Sequence, residues 1–98
     1  MVTLDGEWIE FKFFRPQARE VFLAGEFNHW RQRELPMNRT SGGYWRARLS
    51  LPPGEFRFLY CADGEWFPDF AAFGVEPGRF GLDSVLRVPL RQPLRAAA

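Results

Sequence analysis

Apolar residues in this chain recur at every second position, in short runs broken by Gly and Pro, and that rhythm restricts the fold more than any other feature. In Trp8–Phe14, Ile9, Phe11 and Phe13 alternate with Glu10 and Lys12. Successive side chains of a strand point to opposite faces, so this pattern predicts a strand with one face buried. Val21 to Ala24 is a short apolar run bounded by Glu20 and Gly25. Tyr44–Leu49 places Trp45, Ala47 and Leu49 on one face and Arg46 and Arg48 on the other. In Phe56–Ala62, Phe56, Phe58, Tyr60 and Ala62 face one way, while Arg57, Leu59 and Cys61 face the other. Ser84 to Val88 closes the series.

Turn-forming residues stand between these runs. Asn38 to Gly43 reads as a polar loop, and Pro52-Pro53-Gly54 as a reversal, with Pro pre-setting φ and Gly supplying φ > 0. Asp63-Gly64 suits a two-residue hairpin, in which both turn positions need φ > 0. Helical turns are conceivable only at residues 31–35 and 68–72. Short strands at this spacing describe an antiparallel β-sandwich of the all-β class. A chain of 98 residues is the size of one domain, and 46% hydrophobic residues with eleven Phe and four Trp can fill its core. Residues 1–90 are therefore expected to form one domain. The patternless segment 91–98 is expected to be a mobile tail.

Several function classes find no support. Thirteen Lys/Arg against twelve Asp/Glu leave a net charge of +1, without the basic excess that phosphate tracking needs, so no nucleic-acid partner is expected. No apolar run approaches the roughly 20 residues of a membrane helix. The opening Met-Val-Thr-Leu-Asp lacks a basic start followed by an apolar stretch, so the expected setting is cytoplasmic. Cys61 is a lone cysteine, which rules out an internal disulfide and a cysteine-based metal site. His29 has no evident nucleophile or paired carboxylate for catalysis. Asp63 is explained by its hairpin, and Asp69 and Asp83 by loops. A calcium site from Asp63, Glu65 and Asp69 matches no ligand spacing known for that ion. The expectation is a non-enzyme without cofactor or metal.

The aromatic residues carry what remains. Trp45 alternates with arginines and reads as core; Trp8 lies opposite Ile9 and Phe11 and reads as cover for one edge. Trp30 and Trp66 lie in polar, turn-rich surroundings, Gly25-Glu26-Phe27-Asn28-His29-Trp30 and Asp63-Gly64-Glu65-Trp66. An indole in such a place either stacks on a ligand with apolar faces and polar edges or folds back to cap the core. Spacing alone favours the cap for each of them taken singly.

Five blocks occur in a recognisable order: Val21 to Trp30, Gly43-Tyr44-Trp45 to Leu51, Pro53 to Phe58, Asp63 to Trp66, and Asp83 to Val88. Together, over about Trp8 to Val88, they resemble the family 48 carbohydrate-binding modules. That family includes the glycogen-binding domain of the AMP-activated kinase β subunit and the N-terminal domains of isoamylases and branching enzymes. The resemblance implies an immunoglobulin-like early-set sandwich that binds α-1,4-glucans such as glycogen and starch. It also implies that Trp30 and Trp66 stack on glucose rings, which turns both from caps into ligand contacts. Asn28, Arg57, Leu59 and Asp83 complete the implied carbohydrate-binding surface.

Two positions depart from the family pattern. Leu59 stands where binding members carry a lysine, and Asp83 where they carry an asparagine. Leu59 is expected to expose an apolar group on the binding face, and Arg57, on the same side of its strand, to replace part of the lost lysine. Stacking worth roughly 1–3 kcal/mol per ring puts affinity between about millimolar and micromolar. A module that weak acts by tethering to a polymer of many equivalent sites. The expected partners are an α-glucan and a glycogen-metabolising enzyme or a second copy. The alternative is an interaction or dimerisation domain that keeps the sandwich but docks a protein through Leu59 and Phe67.

Overall fold

The computed structural model describes residues 1–78 and 81–90. The tail expected over 91–98 lies outside them. Among the described residues ten strands run in order: β1 (Val2–Asp5), β2 (Trp8–Phe14), β3 (Val21–Gly25), β4 (Leu35–Pro36), β5 (Asn38–Arg39), β6 (Tyr44–Leu49), β7 (Gly54–Ala62), β8 (Glu65–Phe67), β9 (Val75–Gly78) and β10 (Gly81–Val88). One sheet is ordered β1-β2-β6-β5; the other is β4-β3-β7-β10-β9, with β8 added on β7. The strand pairs are antiparallel, and the two sheets face each other as an immunoglobulin-like sandwich.

Alternation decides what lies between the sheets. Ile9 and Phe11 from β2, Trp45 from β6, Val21 and Leu23 from β3, Phe58 and Tyr60 from β7, and Leu86 and Val88 from β10 form one buried cluster. The rings of Phe11 and Phe58 meet edge-on at 5.2 Å, and Phe13 stacks on Tyr60 at 4.4 Å. These offset and edge geometries suit the ring quadrupoles. The indole N–H of Trp45 donates to the Arg15 carbonyl at 2.9 Å, so its burial leaves no orphan donor. The polar positions of β2 and β6 form an outer face on which Arg46 approaches Glu10 at 3.7 Å and Arg48 covers the exposed Trp8 ring at 5.3 Å.

The Asp63-Gly64 hairpin forms as predicted, with φ of 49° and 86°. Asp63 does more than turn: its carboxylate accepts the backbone N–H groups of Arg19 and Glu20 at 3.0 Å each, tying the hairpin to the start of β3. Asp69 is buried under comparable demands. It accepts the Tyr60 hydroxyl at 2.7 Å and the Ala71 N–H at 2.9 Å, and it also meets the Met1 ammonium. The role of Asp63 is backbone-directed, as the sequence suggested, whereas Asp69 adds a buried side-chain partner, the Tyr60 hydroxyl, to its one backbone bond.

Three local expectations change. The stretch from Asn38 to Gly43, read as a loop, begins as β5 and ends in a short 3-10 turn at Ser41–Gly43. Residues 31–35 and 68–72 hold isolated turns rather than a helix, the second closed by the Ala72 N–H on the Asp69 carbonyl at 3.4 Å. The second 3-10 turn, Glu26–Asn28, instead follows β3 directly. Among the described residues no helix is long and apolar enough to cross a membrane.

Candidate carbohydrate-binding groove

The turn at Glu26–Asn28 exists because β3 must leave its sheet abruptly. The Gly25 N–H donates to Asn28 Oδ1 at 3.0 Å, and Asn28 Nδ2 donates to the Arg31 carbonyl at 3.1 Å. Trp30 N–H then closes the loop on the Gly25 carbonyl at 2.8 Å. His29 and Trp30 both take left-handed backbone, φ 58° and 59°, a conformation that costs a non-Gly residue roughly 1–2 kcal/mol. The loop holds that strain and leaves Trp30 36% exposed. Gly25 is required by closeness rather than by φ. A Cβ there would stand 2.5 Å from the Arg57 carbonyl oxygen and 2.8 Å from the Phe27 ring.

Trp66 arrives by a separate route. It sits on β8 opposite Cys61, in the short strand that Asp63-Gly64 folds back against β7. The loop and the hairpin converge over the outer face of β7. There Trp30 and Trp66 line one groove of about 830 Å³ together with Glu26, His29, Arg57, Leu59, Pro77, Gly78 and Asp83. Such a volume falls in the range of sites that take small ligands.

The charged groups of the groove are interlocked. Glu26 Oε1 accepts the Arg57 backbone N–H at 2.7 Å, and the Arg57 guanidinium pairs with Glu76 of β9 at 2.6 Å. Asp83, on β10 opposite Glu76, lies so close to Gly78 that a Cβ on the glycine would overlap its carboxylate. Burial pushes the Asp83 carboxyl above the ordinary carboxylate range; Arg57 pulls it back, and Glu26 adds to the rise. A folded-state pKa above the unfolded one means that the proton is held more tightly when folded. The associated stability is present below the unfolded pKa and is lost as pH rises through the folded pKa. Asp83→Asn removes this dependence. Its melting temperature is expected to exceed that of the parent at pH 7, with the difference shrinking as pH is lowered toward 4. A difference in calorimetric Tm that is constant over that range would contradict the assignment.

The site residues expected from sequence fall into two groups. Trp30, Trp66, Arg57, Leu59 and Asp83 are brought together. Asn28 is not: it is buried, and both ends of its amide are engaged within the loop, so it shapes the groove without lining it. Leu59 requires a correction. It lies on the predicted side of β7 but is only 5% exposed, so it floors the groove instead of projecting from it. The segment after Trp30 crosses this face, where Gln32 donates to the Cys61 thiol at 3.0 Å, and together with Trp66 it covers what alternation alone would leave open.

The sequence of the carbohydrate-binding module 48 family (isoamylase N-terminal domain) matches residues 2–83. The chain belongs to this family. A 1,4-alpha-glucan branching enzyme of Rhodopseudomonas palustris is 44% identical to the module across 95% of the chain and 14% of the enzyme. A branching enzyme of Salinibacter ruber is 36% identical across 74% of the chain and 12% of its own length. The 5'-AMP-activated protein kinase subunit beta-1 of Sus scrofa is 39% identical over 53% of the chain and 40% of that protein. The module thus spans a minor part of each of these relatives, and its family is one of binding domains rather than catalytic ones.

Glu26, Pro77 and Gly78 are groove residues that the sequence did not single out, and His29 was weighed there for catalysis alone. Glu26 and His29 are close in the chain to Trp30, a signal that was present. Pro77 and Gly78 belong to β9, whose composition is poor for a strand and is tolerated because β9 is an edge of its sheet. Among the described residues, no three acidic, His or Cys side chains are placed to hold a metal.

Proposed function

We propose that the module binds α-1,4-linked glucan non-catalytically, by stacking the indoles of Trp30 and Trp66 on glucose rings. One observation carries this reading: two tryptophans from different parts of the chain, one on a strained loop, line the same groove. Two flat faces presented by separate elements can follow a curved chain of sugar rings, and Arg57 and Asp83 offer a donor and an acceptor for hydroxyls. Two branching enzymes among its relatives are named for 1,4-alpha-glucan, which supports the choice of polymer. Binding of this strength tethers, raising the local concentration of a glycogen-metabolising catalytic domain or partner at a repetitive polymer. A reducing cytoplasm suits Cys61, which is free and buried.

Docking of a protein through Leu59 and Phe67 is less well supported. Leu59 is buried, and the half-buried Phe67 ring is covered by the Arg15 guanidinium at 4.3 Å and lies 5.8 Å from Phe13. Neither side chain projects as an anchor.

Titration with maltoheptaose is expected to change tryptophan emission and to saturate between about millimolar and micromolar sugar. Arg57→Met is expected to weaken binding by about two- to tenfold, the worth of one hydrogen bond. Emission that stays flat through tens of millimolar sugar would overturn the reading.

A further inference from the structure

We infer that the groove selects uncharged glucan and discriminates against chains carrying a phosphate monoester. This rests on the glucan reading above and names the chemical class that the site accepts. Glucans occur both as plain polymers and with ester-linked phosphate, and the two differ by about two negative charges at each modified sugar.

The groove is built with acidic walls. Glu26 and Asp83 line it directly, on opposite sides of Arg57 in the chain. Among the described residues, Arg57 is the one arginine or lysine in the lining. An arginine is ordinarily the residue best suited to grip phosphate, through its two parallel N–H groups. Here the guanidinium is tied to Glu76 at 2.6 Å, so its charge is answered before any ligand arrives. Among the described lining residues, the field is therefore set by the remaining carboxylates. Asp83 is buried, where charges are screened less than in open water. Neutral sugar hydroxyls can use these groups as acceptors without repulsion. A phosphate brought beside them meets like charge from both carboxylates.

Fixed geometry makes the effect hard to evade. The Glu26 carboxylate is anchored by the Arg57 backbone N–H at 2.7 Å, and Asp83 is wedged against Gly78. Each is held more firmly than a free surface carboxylate, Glu26 by that hydrogen bond and Asp83 by burial.

The test compares maltoheptaose with maltoheptaose bearing one 6-phosphate ester, each titrated at pH 8 against tryptophan emission of the intact chain. At low ionic strength the phosphorylated sugar is expected to bind at least about tenfold more weakly, the scale of a few like-charge contacts at this range. In 1 M salt, where screening acts within about 3 Å, the gap should shrink. It should also narrow by about two- to fivefold in Asp83→Asn and in Glu76→Gln, each of which removes one negative charge. Equal or tighter binding of the phosphorylated sugar by the parent chain would overturn the inference while leaving the glucan reading intact. A gap that neither salt nor either substitution alters would also overturn it, since exclusion would then be steric. Failure of both sugars to perturb emission would instead remove the glucan reading, and this inference with it.

Discussion

Trp30→Ala and Trp66→Ala are each expected to abolish retention of the module on a glycogen or amylose gel while the sandwich stays folded. Stacking of an aromatic face on a planar ligand ring is worth roughly 1–3 kcal/mol, so one truncation lowers affinity by about five- to 150-fold. From a starting point between about millimolar and micromolar, that loss takes most of the range below what a column can hold. The fold should survive because neither indole belongs to the buried cluster between the sheets. Trp30 has over a third of its surface open, and Trp66 sits on a three-residue strand at the periphery of β7. Trp66 is half-buried, so its variant should lose more thermal stability than Trp30→Ala does. Phe at either position keeps a flat face and should retain part of the binding. Both alanine variants eluting like the parent, with unchanged melting curves, would refute the stacking site.

Phe58→Ala is the substitution expected to damage the fold most. Phe58 is fully buried, its ring meets Phe11 at 5.2 Å and Tyr60 at 5.7 Å, and its carbonyl accepts the Ser84 hydroxyl. Truncating a buried Phe costs about 3–5 kcal/mol, from lost transfer energy and the cavity left behind. Total stability of a small domain is only about 5–15 kcal/mol. The melting temperature should therefore fall by about 12–40 °C, at about 4–8 °C per kcal/mol for a domain of this size. Function should fall with it, since Arg57 and Leu59 flank Phe58 on β7 and form part of the groove. Phe56→Ala, at a half-buried position on the same face, should cost distinctly less. Urea melts giving a loss under about 1 kcal/mol for Phe58→Ala would mean that the core does not depend on this ring.

Much of this arrangement was legible from residue order. Period-two alternation located β2, β6 and β7, because burial of one face imposes it directly, while β3 was marked by a bounded apolar run and β10 by the closing run Ser84 to Val88. Asp63-Gly64 announced its hairpin, because few residue pairs accept two positive φ angles in succession. The strands that escaped notice have physical reasons for doing so. At two residues each, β4 and β5 are too short for any period, and β9 contains Pro77 and Gly78. Three residues of β1 are exposed, so no buried face marks it.

Local sequence, then, determined the strands, the core face and the two candidate indoles, since each follows from contacts between near neighbours or from a single turn. Tertiary structure decided which groups share a surface. Leu59 became a floor because a distant loop and a hairpin close over β7, and Arg57 lost its free charge because Glu76 arrives from an edge strand nineteen positions away. Burial and pairing of this kind depend on what crosses overhead, and alternation along one strand carries no record of it.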